Sequence, residues 1–365
     1  MLPVIGHDPI QRELRALASS DVPPHALLLD GPEGTGRTQL ALFYAKLLNC
    51  ESRPGAARTP SLFASLDEVP SEPLAPGDLP CGRCRPCTLI EAGGHPDIIR
   101  VGPGDTLCHP RAGESSHASH ADSRDIRICQ VRGMIDLASR FPLEASQRVI
   151  IVEPAERLGH DAAHTILKTL EEPPGHTVFV LVTAAPDQIL ETILSRCRRI
   201  EVRPVARQEI EDGLIARGVE PALAARAAAE ARGRPARAIA YSERPDLMDD
   251  RGRLLDRCAK IAAARTIERF NYAEDLSRRW RSDRNQVLAE IDVWEAFWEE
   301  RLRSAAETGD EPAAEGALAA LHAVGTVRDD LQANVIARAA LELMLLNFPR
   351  TTLDLPREEE APAHA

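Results

Sequence analysis

An α/β fold is predicted: a parallel sheet with helices on both faces, followed by a small helical lid and an all-α C-terminal domain. Three features carry that expectation. From 25 to 200, short apolar runs alternate with stretches at helical spacing. The strand-like runs are continuously apolar, the pattern of parallel strands buried on both faces. After Pro204 the strand signals stop and helical periodicity takes over.

In chain order, HALLLDG (25–31) reads as a buried strand entering a glycine-rich turn, and TQLALFYAKLLNC (38–50) as the helix that follows. VIIVEPAERL (149–158) supplies a second strand, HDAAHTILKTLEEPPG (160–175) a helix closed by Pro-Pro-Gly, and TVFVLVT (177–183) a third strand. PDQILETILSRC (186–197) reads as another helix. Residues 51–80 and 102–124 are polar or Pro/Ser-rich inserts, the second read as a solvated loop. Residues 207–240 read as two short alanine-rich helices with a GRPARA ending, and 246–348 as helical throughout. Helical spacing puts Leu288, Ile291, Trp294 and Trp298 on one face, and Leu331, Val335, Ala339 and Leu343 on another. Both stripes are read as core packing. The expected division is 1–203 for the sheet domain with a cysteine module inserted at 50–87, 204–245 for the lid, 246–349 for a helical oligomerisation domain and 350–365 for a disordered acidic tail.

The 365 residues suffice for two or three domains. A net charge of −12 argues against a chain that binds nucleic acid alone through a broad basic face. The N-terminal stretch lacks the basic-then-apolar pattern of a signal peptide, and the apolar run at 177–185 is too short to span a bilayer. A cytoplasmic protein without membrane association is therefore expected. Its eight cysteines should then be reduced thiols or metal ligands.

GPEGTGRT (31–38) follows the phosphate-loop pattern G-x-x-x-x-G-K-[ST], with Arg37 in the lysine position. Gly31, Gly34 and Gly36 permit a tight turn that aims N–H groups at phosphate oxygens, and Thr38 could place its hydroxyl on magnesium. A glycine-rich turn without ligand is the competing reading. Lysine is a compact charge on a flexible stem, whereas arginine is a planar fork that needs more room. The chain has only three lysines. Arginine drift accounts for the change, and the loss of an otherwise indispensable lysine implies relaxed demand. The second strand ends in Glu153 and Pro154 rather than an Asp-Glu pair. Glu153 offers a longer arm toward magnesium, but Pro154 cannot orient a water, which hydrolysis needs. Nucleotide binding at this loop is expected to be weak or absent, and turnover by this chain alone absent.

Cys50, then Cys81, Cys84 and Cys87 in CGRCRPC, supply four sulfurs at a spacing suited to a closed tetrahedral site. Structural zinc is expected, against free thiols or a site that has lost its metal. Cys108, His109, His117 and His120 in the second insert read as loop residues rather than a second metal site, and His95 as a packed or capping histidine. An arginine in LSRCRR (194–199) reads, on the sequence alone, as solvated or salt-bridged.

Taken together, GPEGTGRTQLA, C…CGRCRPC, GGHPD, VIIVEPAERL, ILKTLEEPP, FVLVT and ILSRC, in that order, resemble the delta-prime subunit family of the bacterial DNA polymerase III clamp loader. The resemblance is specific over 1–203 and weaker over 204–348. It implies an AAA+ module with a helical lid and a collar that joins delta and gamma/tau subunits, and through them the sliding clamp and primed DNA. It implies that Cys50, Cys81, Cys84 and Cys87 form the zinc module. It implies that Arg196, within Ser195-Arg196-Cys197, is an arginine finger acting in trans on a neighbour's ATP site. Thr183 falls at the sensor-like end of the third strand. Arg237 lies one residue beyond the lid arginine of active relatives and takes no role. Such a subunit would be an accessory part of a polymerase holoenzyme, itself without polymerase or ATPase catalysis. The rival readings are an active gamma/tau-type ATPase and a zinc module that binds nucleic acid directly.

Overall fold

The computed structural model describes residues 4–20, 22–54, 74–109, 123–332 and 335–350. The tail beyond 350, much of both inserts, His117 and His120 lie outside the described residues. The chain divides into two compact units, Met1–Glu243 and Arg244–Ala365.

In the first unit, five strands run parallel: β1 (Ala26–Asp30), β2 (Ile98–Val101), β3 (Arg148–Val152), β4 (Thr177–Thr183) and β5 (Arg198–Glu201). Their order is β2-β3-β4-β1-β5. Every residue of β1, β3 and β4 is buried. Because successive side chains alternate faces, such a strand must be apolar on both. Leu27, Leu29, Val149, Ile151 and Val180 pack into one core layer with α1 (Asp8–Ala18), α2 (Arg37–Asn49) and α3 (Arg85–Glu91). Leu28, Ile150, Val152, Phe179 and Leu181 pack into the other with α4 (Ile128–Ser139) and α5 (His160–Glu171). Each fully buried Leu or Ile contributes about 1.5–3 kcal/mol, so the central strands anchor the unit.

Three local readings are corrected. The stretch 186–197 is not one helix: only α6 (Glu191–Leu194) is α-helical, after a single 3₁₀ turn at Pro186–Gln188. The chain then returns to the sheet as β5, whose residues 198–201 pair with β1. Three of those four residues are exposed, so the strand has no apolar run to read, and its charges protect an edge. The lid contains three helices rather than two: α7 (Arg207–Ile215), α8 (Pro221–Ala231) and α9 (Pro235–Glu243). GRPARA does not end a helix but starts one, with Pro235 at the first helical position, where a missing N–H costs nothing. These three helices belong to the first unit.

The second unit is α10 (Asp246–Ala263), α11 (Thr266–Ser282), α12 (Arg284–Thr308), α13 (Glu311–Gln332) and α14 (Ala337–Leu346). Ile291, Trp294 and Trp298 of α12 are buried as expected, and Phe348 packs against both indoles, at centroid distances of 4.8 and 5.2 Å. The second stripe is corrected. Leu331 is buried in α13, but Val335, Ala339 and Leu343 are exposed. The helix breaks before Ala337, the register restarts, and α14 buries Ala340, Leu341, Met344 and Leu345 instead. Arg269 is buried and donates to the carbonyls of Ala262 (2.6 Å), Leu345 (2.9 Å) and Phe348 (2.7 Å), satisfying the C-terminal ends of α10 and α14. No described helix is long and apolar enough to cross a membrane.

Candidate functional site

The phosphate-type loop lies at the end of β1, where the chain turns into α2. Gly31 is obligatory there: a Cβ would sit 2.1 Å from the Val202 carbonyl oxygen. Gly36, at φ 101°, forms the N-cap of α2 in a conformation that side chains resist. The loop is held from both sides. His7 Nε2 lies 2.6 Å from the Thr35 carbonyl oxygen, and the Ala236 N–H of α9 donates to the Gly34 carbonyl at 3.1 Å. The turn therefore exists as expected, with a helix N-terminus behind it.

Its polar groups are largely engaged with one another. The Thr38 hydroxyl donates to Glu153 Oε1 at 2.5 Å. The other Glu153 oxygen receives Arg100 Nη2 at 3.4 Å. Asp30, buried at the end of β1, is held by a two-pronged Arg199, at 2.9 and 2.8 Å. Pro154 follows Glu153, and both line a cavity of about 360 Å³ with Glu33, Gly34, Gly36, Arg37, Thr38 and Glu156. Burial pulls the Arg37 guanidinium below its ordinary value, opposed by the carboxylates of Glu156, Glu33, Glu153 and Asp30. Arg37 Nη1 is buried with no hydrogen-bond partner among the described residues.

Glu156, unlike Glu153, was not picked out from the sequence. It sits three residues beyond Glu153, in the 3₁₀ turn Ala155–Arg157. Its Oε1 accepts the Ala184 N–H at 3.2 Å, beyond the end of β4. The signal was available in VEPAERL, a second carboxylate just after the strand, but nothing in the spacing says that it turns back into the loop. Thr183 is buried; its hydroxyl accepts the Ala185 N–H at 3.1 Å and its carbonyl accepts the Gly31 N–H at 3.2 Å.

Cys50 closes α2, Cys81 and Cys84 precede α3, and Cys87 lies in its first turn. One sulfur from each lies within 4.8 Å of all the others. A tetrahedron of bonds of about 2.3 Å sets its corners about 3.8 Å apart, which the 4.0 Å Cys50–Cys84 separation matches. Backbone N–H groups point at the sulfurs, Cys81 N to Cys50 Sγ at 3.4 Å and Cys84 N to Cys81 Sγ at 3.3 Å. Such bonds stabilise thiolate. Hydrogen bonds from Cys84 and Cys87 pull Cys50 far below a usual thiol, and the same bonds push Cys84 and Cys87 up. The donor set fits a metal with no open coordination position.

Arg196 lies just beyond α6, with its side chain one-third exposed. Its Nη2 donates to Glu171 Oε1 at 2.5 Å and its Nη1 to the Thr192 carbonyl at 2.8 Å. An ion pair this exposed is worth about 0–1 kcal/mol and yields readily to a stronger anion. Ser195 is exposed and donates to the Thr192 carbonyl at 3.2 Å. Cys197 packs toward the second core layer, and burial pushes its thiol up to about 12. Another surface was missed: a cavity of about 560 Å³ lined by the starts of α4 and α5, with Arg124, Arg127, Arg132 and His160 beside Asp125 and Asp161.

A family model described as DNA polymerase III, delta subunit, matches residues 68–206. The DNA polymerase III subunit delta' of Bacillus subtilis is 30% identical over 231 residues, covering 63% of this chain and 57% of that protein. That of Pseudomonas aeruginosa is 33% identical over 173 residues, 47% of this chain and 41% of that protein. The tau subunit of Bacillus subtilis is 30% identical over 207 residues, 57% of this chain and 30% of that protein. The chain thus spans about half the length of the delta-prime relatives it matches. The family match over 68–206 and these relatives support the resemblance carried by the motifs: in this part the chain is similar to delta-prime-type subunits of bacterial DNA polymerase III.

Proposed function

We propose that this chain is a non-hydrolysing delta-prime-type subunit that helps load a sliding clamp onto primed DNA. It would assemble with delta and gamma/tau subunits, with the helices of 246–349 as its collar, and work in the cytoplasm. The observation that carries the reading is the end of β3. Pro154 stands where a water-orienting carboxylate is needed, and Glu153 is tied to Thr38. The loop keeps its shape, and the position directly after Glu153 lacks the carboxylate that orients a water for hydrolysis.

Its chemical contribution is Arg196, offered to the ATP site of a neighbouring subunit. The weak pairing with Glu171 supports that role, because the guanidinium can leave it for a developing phosphate charge. Ser195 and Cys197 set the arginine's place on the turn. The four cysteines hold a structural zinc. The arginine-lined cavity at the starts of α4 and α5 suits a phosphate backbone and supports contact with DNA within the assembly.

The test is a complex reconstituted from this chain, delta and gamma/tau, with clamp and primed DNA. Arginine fingers are worth on the order of 10³–10⁵ in rate. Arg196→Ala should cripple hydrolysis at the adjacent site and leave assembly intact; normal hydrolysis there would refute the role. The second reading, an active gamma/tau-type ATPase, is favoured by the tau relative that aligns over 57% of this chain. Steady phosphate release by the purified chain, lost in Arg37→Ala, would establish it.

A further inference from the structure

Two residues of opposite charge that line the loop cavity each keep a buried polar atom without a hydrogen-bond partner. Arg37 Nη1 and Glu156 Oε2 are both buried, and neither has a hydrogen-bond partner among the described residues. Both residues line the same cavity of about 360 Å³. The neighbouring carboxylates are otherwise occupied: Glu153 takes Thr38 and Arg100, and Asp30 takes both arms of Arg199. Glu33 is exposed to solvent, which screens it. Glu156 accepts the Ala184 N–H through one oxygen, while the other is buried without a hydrogen-bond partner among the described residues.

We infer that Glu156 is a built-in counter-anion for Arg37 and the residue that keeps this cavity's affinity for the phosphates of a nucleotide low. An incoming phosphate must compete with a carboxylate that is already in place beside the same cavity. Charge of the same sign in a partly desolvated cavity repels far more strongly than it would on the surface. Phosphate loops work by presenting net positive charge. Here the one side-chain cation of the loop is surrounded by Glu156, Glu33, Glu153 and Asp30, with Glu156 its strongest electrostatic neighbour. Arginine in place of lysine is thus only part of the reason the loop is weak. This inference deepens the proposal that residues 31–38 form a degenerate nucleotide loop.

Glu156→Gln keeps an oxygen for the Ala184 N–H and removes the charge. Titrating the full purified chain with magnesium and a fluorescent adenosine diphosphate analogue should show binding at least tenfold tighter in Glu156→Gln than in the parent. Glu156→Ala should also tighten it, which covers the case in which the glutamine variant folds poorly. Adding Arg37→Ala to either variant should abolish the gain. Unchanged or weaker binding in the folded variants overturns the inference, as does a gain that survives loss of Arg37. Because the experiment reads binding by the chain alone, it is decided independently of whether Arg196 acts on a neighbour.

Discussion

Thr38 and Glu153, 115 positions apart in sequence, meet through a hydrogen bond of 2.5 Å that joins the start of α2 to the end of β3. The hydroxyl that would face a magnesium ion in a working phosphate loop is turned instead to the carboxylate that would share the ion. That bond closes the loop on itself and makes it part of the scaffold. Thr38→Val should therefore cost stability, about 1 kcal/mol for a partly exposed bond to a charged acceptor. Thermal denaturation of the full chain should show a small downward shift. An unchanged midpoint would mean the contact contributes nothing to the fold.

Asp97 and Arg148 form a buried pair with a larger expected effect. Arg148 Nη2 meets Asp97 at 2.8 Å, and the N–H groups of Leu143, Glu144 and Ala145 donate to the same carboxylate at 2.8–3.0 Å. Burial alone would push the Asp97 carboxyl up. The backbone donors and the guanidinium outweigh it and hold the group below its ordinary value. A depressed carboxyl stabilises the fold fully above its unfolded pKa, about 3.9, and that stability is lost as pH falls through the folded value. Asp97→Asn should cost roughly 3–5 kcal/mol at neutral pH, because Arg148 is left buried without its anion. The variant should also lose the part of the acid-induced destabilisation below about pH 4 that belongs to this group. Denaturant midpoints measured from pH 7 downward test both statements.

Removing the metal expected at the cysteine cluster should loosen α3 and the segment before it. The parent chain should carry one zinc ion by elemental analysis, and Cys87→Ser should lose it. Chelation should expose four thiols to alkylation at Cys50, Cys81, Cys84 and Cys87. Ligation needs thiolates, so protons compete with metal and retention should fall as pH is lowered. A purified chain without metal, whose α3 resists proteolysis as well as the loaded form, would exclude a structural role.

In the second unit, Glu290 is buried and takes the Tyr272 hydroxyl at 2.6 Å and Arg279 Nη1 at 2.7 Å. The Trp294 indole N–H donates to the same Tyr272 oxygen at 3.0 Å. Burial, then the charge of Glu290, pushes the Tyr272 phenol far up, so it stays a donor throughout the physiological range. Tyr272→Phe orphans the Trp294 N–H and leaves Glu290 Oε1 with the more distant Arg257 guanidinium, at 3.8 Å, as its remaining partner; the unsatisfied N–H should cost about 1–3 kcal/mol. Tryptophan fluorescence during denaturation should report an earlier transition. A midpoint equal to the parent's would show that water replaces the hydroxyl.

Much of the architecture was legible because its signals are local. The apolar runs of β1, β3 and β4, the turn from Gly31 to Thr38, Pro154 after β3 and the four cysteines are patterns confined to a few residues or to chemically distinctive ones. β2 and β5 were not legible: IIRV and RRIE are four-residue strands with charged, partly exposed faces, and only pairing with β3 and β1 makes them strands. The break before Ala337 was hidden for a similar reason. A helical stripe continues on paper through a turn that restarts its register.

The sequence by itself determined the fold class, the loop, the cysteine set and the Glu-Pro pair after the third strand, since each follows from residue type at short spacing. Only the tertiary structure decided that Glu153 holds Thr38, that Glu156 lines the same cavity as Arg37 and that Arg196 rests on Glu171. Those pairs join residues between 25 and 119 positions apart. A chain's local pattern sets which groups can interact, but the packing of strands and helices sets which of them meet.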